Sequence, residues 1–311
     1  MEWVAGIVAF ITALLAGVFS PHVPVLAQRV VLPEIFSSEV VVLFGGDMMF
    51  DRTVRREIHA KGGDFIFSCI DPVLQSVDFV VANLEGPITG NESVSINSAP
   101  GDEFNYTFTF DPATAALLHR HNVLVVNLGN NHMYNFGAAG VASTTATLEA
   151  AGVDYFGAPP TDGVVSGRYG VIGQRVPITF INYNEFGGKA STTIDQIHAA
   201  RALGDLPIVY THWGIEYATT SSPYMQELAH RFIDAGAEIV IGSHPHVVEE
   251  SEIYKGKHIY YSLGNFIFDQ YWMDSVRNGL LLRVAISASG VRSVKEIPIE
   301  LGRDRRTCPI E

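Results

Sequence analysis

Short apolar runs alternate with polar, helix-period stretches along most of the chain. Residues 40–44, 79–83, 123–127 and 154–156 are brief runs rich in Val, Phe and Leu, whereas 53–60, 112–121 and 138–151 carry helix-forming patterns between them. Such alternation predicts a layered α/β domain. The pattern continues as strand 176–182, helix 192–203, strand 206–210, helix 223–235 and strand 237–241. After that, strands dominate. Runs 248–254 and 258–263 flank Lys255-Gly256-Lys257, and 280–286 and 291–297 flank Ser287-Ala288-Ser289-Gly290, which predicts two hairpins. A polar insertion at 90–106, rich in Asn, Ser and Gly, reads as a surface loop.

The first 27 residues depart from this pattern. Positions 3–19 are uncharged and apolar, Pro21 breaks the run, and Val25-Leu26-Ala27 resembles a signal-peptidase site, although Glu2 stands where a basic residue is usual. A cleaved leader and an uncleaved membrane anchor both fit, with a buried core helix as the plainer reading. Either of the first two means export, to the medium or to the outer face of the cytoplasmic membrane. The expected organisation is therefore leader or anchor 1–27, linker 28–38, one domain 39–300 and a charged tail 301–311.

Composition narrows the partners. The 311 residues are 47% hydrophobic and 17% charged, which excludes a disordered chain, and the net charge of −13 without a basic run argues against nucleic acid. An acidic protein that binds an anionic substrate needs a local positive centre, which cations supply. The two cysteines, Cys69 and Cys308, make no framework, and the expectation is a buried Cys69 with a free thiol in the tail.

The strand ends carry the chemistry. Run 40–44 breaks at Gly45-Gly46 and delivers Asp47; 79–82 delivers Asn83 and Glu85; 123–126 leads to Asn130-Asn131-His132; 206–210 to His212; and 237–241 to His244-x-His246. In open α/β sheets, ligands bind at such ends. Carboxylate, amide and imidazole without thiolate suit Mn, Fe or Zn, and a shared carboxylate can bridge two ions.

Gly46-Asp47-Met48-Met49, Asn83-Leu84-Glu85, Gly129-Asn130-Asn131-His132, His212-Trp213-Gly214-x-Glu216-Tyr217, Gly242-Ser243-His244-Pro245-His246 and Tyr261-Ser262-Leu263-Gly264-Asn265-Phe266 together resemble the CapA family of capsule and poly-γ-glutamate synthesis. That family is similar to the calcineurin-like metallophosphoesterases. The resemblance implies a four-layer αββα sandwich of two mixed β-sheets flanked by helices. It also implies that Asp47, Glu85 and His246 face one divalent metal, that Glu85, Asn131, His212 and His244 face another, and that His132 is the general acid. One position departs: Met49 replaces the histidine usual two residues after the first aspartate, so the centre is expected to hold one ion or two.

Plainer roles exist for most of these residues. Asp47 can cap a helix, His132 can hydrogen-bond to its own turn, Glu216 can be a solvated acid and Asn265 a turn residue. Trp213, Phe266, Phe268, Tyr271 and Trp272 fit core packing as well as a substrate wall. Ser243 lacks the G-x-S-x-G elbow of serine hydrolases. The expected function is an exported CapA-like protein of cell-surface polymer synthesis, hydrolysing a phosphoester or related bond with metal-activated water. Its partners would be an anionic polymer or phosphoester and membrane-bound synthesis components. The alternative is a non-catalytic envelope component that binds or helps export the polymer and keeps a partial metal site.

Overall fold

The computed structural model describes residues 39–159, 165–169 and 176–310. The expected leader or anchor and the linker lie outside these residues. Among the described residues, no helix is long and apolar enough to cross a membrane.

Strands β1 (Glu39–Met48), β2 (Phe79–Leu84), β3 (Val123–Asn127) and β4 (Asp154–Phe156) alternate with helices α1 (Arg52–Lys61), α2 (Asp64–Phe67), α3 (Asp71–Leu74), α4 (Ala113–Arg120) and α5 (Gly137–Ala151). Next come β5 (Val165–Tyr169), β6 (Val176–Asn184), α6 (Ala190–Ala202), β7 (Leu206–His212), α7 (Pro223–Ala235), β8 (Ile239–Ser243), β9 (Ser251–Tyr254) and β10 (Lys257–Tyr260). The chain closes with β11 (Asn265–Ile267), α8 (Asp274–Arg277), β12 (Asn278–Ser287), β13 (Gly290–Leu301) and β14 (Thr307–Pro309).

These strands form two mixed sheets. One runs β14-β13-β12-β1-β2-β3-β4, with β11 also paired to β1; the other runs β5-β6-β7-β8-β10-β9. Strands β1 to β4 are mutually parallel, as are β6, β7, β8 and β10, so within each sheet their C-terminal ends share an edge. The sheets pack face to face through Val42, Phe44, Val81 and Val125 on one side and Phe180, Ile208, Tyr210 and Ile241 on the other. On the outer faces, α1 to α5 cover the first sheet and α6 and α7 the second. This is the four-layer αββα sandwich that the resemblance implied. Each fully buried Val, Leu, Ile or Phe contributes roughly 1.5–3 kcal/mol of transfer free energy.

Helix α7 shows how local signals place an element. The Ser222 side chain accepts from Met225 N, Pro223 occupies the first turn, and Gly236 ends the helix in a left-handed conformation. Its buried face, Met225, Leu228, Ala229, Phe232 and Ile233, repeats at helical spacing against the second sheet. The turn between β9 and β10 has positive φ at both Lys255 and Gly256, as a tight two-residue hairpin turn requires.

Two glycines bring backbones together at the strand ends. A Cβ on Gly46 would lie 1.8 Å from the Gly264 carbonyl oxygen, and one on Gly242 would lie 1.8 Å from that of Tyr261. Only glycine fits either contact. The first lets β11 pair with the end of β1, which sets Asn265 opposite Asp47.

Two expectations are corrected. Cys69 and Cys308 are not separate thiols but form a disulfide across 239 residues, with a Cα–Cα distance of 5.0 Å. The segment expected as a charged tail folds back instead, and β14 adds to the sheet beside β13. The charges that suggested a tail are used locally: Arg306 pairs with Asp304, and the Arg305 guanidinium lies 4.6 Å over the Tyr271 ring.

Candidate metal centre

The structure gathers all six of the expected ligand residues where the two sheets meet. Asp47 comes from the end of β1, Glu85 follows β2, Asn131 follows β3, His212 ends β7, and His244 and His246 follow β8. Two groups have ligand atoms within 4.8 Å of one another: Asp47, Glu85 and His246, and Glu85, His212 and His244. Glu85 belongs to both. Asn131 joins the second group, its Oδ1 lying 3.0 Å from His212 Nε2.

Strained backbone presents the paired histidines. His244 has φ +100° and His246 φ +60°, values that non-glycine residues seldom adopt and that cost on the order of 1–3 kcal/mol each. The His244 amide donates to Asp47 Oδ2 at 3.1 Å, which ties this turn to the opposite sheet.

A network of amides sets the direction of each ligand. Asn83 Oδ1 accepts from Asn127 and Asn130, so its Nδ2 donates to Asp47 Oδ1 at 2.8 Å. Asn182 in turn donates to Asn127 Oδ1. Asn265 Nδ2 has acceptors in Gln270 Oε1 and the Val276 carbonyl, so its Oδ1 accepts from His246 Nδ1 at 3.0 Å. That leaves His246 Nε2 bare and facing Glu85 Oε1 at 3.6 Å. The Ser243 hydroxyl donates to the Thr211 carbonyl and lies 3.1 Å from His212 Nδ1, which Asn83 Nδ2 also approaches at 3.3 Å, while His212 Nε2 faces Asn131 Oδ1 at 3.0 Å.

The electrostatics call for a cation. Among the described residues, both Glu85 oxygens are buried without a hydrogen-bond partner, and so is His244 Nδ1. Burial, and then repulsion from Asp47, hold the Glu85 carboxyl well above the usual range. Burial also pushes His212 well below the ordinary imidazole range and His244 down to about 4, so both rings are neutral lone-pair donors at pH 7. Burial would raise Asp47 too, but its hydrogen bond from His246 and the nearby imidazoles bring it down to about 2. A carboxyl held low, a second raised by burial and by its acidic neighbours, and imidazoles lowered by burial fit divalent cations as a donor set.

His132 stands at the edge of this group, with Nε2 3.9 Å from Glu85 Oε1. Its Nδ1 meets Asn135 Oδ1 at 3.2 Å, and its ring lies 4.4 Å from that of Phe108. Burial lowers its pKa to about 4. The ring is therefore neutral at pH 7, with Nε2 toward the centre as an acceptor.

Met49 does not reach the centre. It is fully buried in the core under the first sheet, where its sulfur accepts from Asp51 N at 2.9 Å. The Asp47 group thus has three candidate ligands, against four in the other.

Some contributors left no clear trace in the sequence. Arg52, at φ +50°, pairs with Asp269, donates to Asn105 Oδ1 and lies over the Phe108 and Phe268 rings. Those rings back His132 and His246 in turn. Phe186 packs 4.5 Å from the His244 ring. Asn265, which sequence allowed as a turn residue, holds His246. The run of asparagines at successive strand ends was the available signal for the amide network.

A family model described as "Bacterial capsule synthesis protein PGA_cap" matches residues 41–270. The chain is 31% identical to "PGA biosynthesis protein CapA" of Bacillus subtilis (strain 168) over 274 residues, 83% of this chain and 70% of that protein. It is also 31% identical to "Capsule biosynthesis protein CapA" of Bacillus anthracis over 275 residues, 82% of this chain and 66% of the relative. Among solved structures, a hypothetical protein from Thermus thermophilus superposes with a TM-score of 0.54 at 18% identity, over 84% of this chain and 99% of that one. This last likeness concerns the fold alone.

Proposed function

The chain belongs to the bacterial capsule synthesis protein family PGA_cap, and from that premise we propose an exported component of poly-γ-glutamate or related capsule synthesis that hydrolyses a phosphoester or related bond. The observation that carries the chemical part is Glu85, whose two buried oxygens have no hydrogen-bond partner among the described residues while facing two sets of lone-pair donors. An unpaired buried carboxyl is costly, and a shared cation removes the cost. Asp47, Glu85 and His246 would hold one ion, and Glu85, Asn131, His212 and His244 a second. Such ions, Mn, Fe or Zn, supply positive charge for an anionic group and make water a nucleophile near neutral pH.

The chain's own residues supply position and proton control. Asn265 and Asn83 fix His246 and Asp47, and Ser243 fixes His212. Neutral His132 accepts a hydrogen bond at Nε2 from water or a substrate hydroxyl. When an anionic substrate beside it raises its basicity, Nε2 takes a proton from water and passes it on to a leaving oxygen, which returns the ring to its neutral form. The Cys69–Cys308 bridge supports export, since such bonds persist mainly outside the reducing cytoplasm.

The test is the metal content of purified protein, followed by turnover of a generic phosphodiester with and without Mn²⁺. We expect bound divalent metal, Mn²⁺-dependent turnover, and a loss of about 10²-fold or more in His132→Ala. No metal, or turnover unchanged in that variant, would sink the hydrolase reading. One observation favours a second reading, a non-catalytic polymer-binding component: Met49 sits in the core and leaves the Asp47 group with three candidate ligands. Bound metal without turnover on either phosphodiester or γ-glutamyl polymer would select it.

A further inference from the structure

A cavity of about 250 Å³ opens beside one half of the centre. Its wall is drawn from the ends of three strands: Asn131 and Tyr134 follow β3, Pro159 follows β4, and Asn184 and Phe186 come from the end of β6 and the loop after it. Asn131 belongs to the centre as well, its Oδ1 lying 3.0 Å from His212 Nε2. The Phe186 ring lies 4.5 Å from that of His244 and 5.8 Å from that of His212. A ligand in the cavity therefore touches one candidate metal ligand and a ring that packs on two more. The volume falls below the roughly 300–1,000 Å³ of a drug-sized ligand, which suits a single small ring.

We propose that this cavity holds the sugar ring of a sugar phosphoester whose phosphoryl group lies at the centre. The phosphoester part rests on the function proposed above; the sugar part rests on the cavity wall. Among the described residues that wall carries no charged side chain, and Glu185, between Asn184 and Phe186 in sequence, is engaged elsewhere by Gly214 N. A ligand that meets such a wall is uncharged there. The two amides offer donors only. Asn131 Oδ1 faces His212 Nε2 and Asn184 Oδ1 accepts from Phe186 N, while neither Nδ2 has an acceptor among the described residues. Reading the edge of a nucleobase takes an amide's donor and acceptor together, which neither residue has to give. Hydroxyl oxygens accept from single donors, and a sugar ring presents several. Beside the donors stand the half-exposed rings of Tyr134 and Phe186, whose negative faces suit the C–H side of a sugar. In the hydrolysis, water adds to phosphorus, the bond from phosphorus to the sugar oxygen breaks, and a proton from the water ends on that oxygen, so no further reactant is needed.

Equilibrium titration tests the cavity apart from the reaction. Metal-free protein is titrated with the methyl glycosides of glucose, galactose, mannose and N-acetylglucosamine, and with glycerol as a polyol without a ring. We expect at least one glycoside to bind about tenfold or more tightly than glycerol. Tyr134→Ala should weaken that glycoside about tenfold, and Tyr134→Phe, which keeps the ring, should bind within about twofold of wild type. Tyr134 is half exposed, so its removal leaves the core in place, which unfolding midpoints check. Trp272→Ala removes a half-exposed ring outside this cavity and should bind as wild type. With Mn²⁺ present, the 1-phosphate of the best sugar should bind more tightly than its glycoside, than glycerol phosphate and than adenosine 5′-phosphate. The proposal is overturned if no glycoside binds more tightly than glycerol, if Tyr134→Ala binds as wild type does, or if adenosine 5′-phosphate binds as tightly as the sugar phosphate. A 1-phosphate that gains nothing over its glycoside overturns the pairing with the centre. The glycoside titration needs neither metal nor turnover, so a failure of the hydrolase reading leaves its outcome unmoved.

Discussion

The convergence of the six candidate ligand residues was legible in the sequence because each sits where an apolar run stops, and a buried parallel strand that ends in Asp, Asn, Glu or His has few other uses for it. What holds them was not legible. The positive φ of His244 and His246 and the reach of Arg52 between two rings depend on contacts between residues up to about two hundred positions apart in sequence. The same applies to Glu249, which follows the paired histidines and is buried with neither oxygen partnered among the described residues. Burial, and then the neighbouring Glu250, push its carboxyl up to about 8. In the folded protein it keeps its proton from the usual carboxylate range up to about pH 8, whereas the unfolded chain loses it near 4.5, so this group makes stability fall as pH rises across that window. Glu249→Met is expected to stabilise the protein by about 1–3 kcal/mol at pH 8 and to flatten the slope between pH 5 and 8. Denaturant unfolding at both pH values checks this, and an unchanged slope would mean that the carboxyl has a partner such as water.

At the scale of elements, runs bounded by Gly, Asn or Pro were the easiest to read. Residues 123–127, 154–156 and 223–235 carry the expected strand, strand and helix within the observed bounds. Several elements of three or four residues escaped, because so few residues hold too few periods to show a pattern: α2, α3, β11 and β14 are of this kind, though β4 was read. Strand β14 matters to the site. Thr307 Oγ1 donates to the Phe266 carbonyl, next to the residue that orients His246, and the disulfide fastens the following residue to Cys69 between α2 and α3. Cys308→Ser should lower stability by about 2–4 kcal/mol and speed amide exchange at Phe266 and Ile267. Equal unfolding midpoints for the oxidised and reduced protein would show that the bridge holds nothing in place.

For the whole molecule, the apolar run at 3–19, expected as a leader or anchor, and the disulfide are the two features behind the proposed export. Export predicts that the protein reaches the envelope or medium. If the leader is cleaved, Ala27→Arg should leave it attached, and if it is an anchor, both forms should stay full length in the membrane fraction. Soluble full-length protein in the cytoplasm would contradict both.

The two sheets meet at a centre to which one contributes Asp47, Glu85 and Asn131 and the other His212, His244 and His246, so a cation bound there links them. Thermal unfolding of wild type and Glu85→Gln, each with and without Mn²⁺, measures this most directly. Mn²⁺ should raise the wild-type midpoint, by the equivalent of about 2.7 kcal/mol at a hundred times its Kd. Metal-free Glu85→Gln, relieved of a buried ionisable group, should unfold no earlier than metal-free wild type and should not respond to Mn²⁺. A wild-type midpoint that ignores divalent ions, or a variant that gains as much from them, would contradict a metal centre built around Glu85.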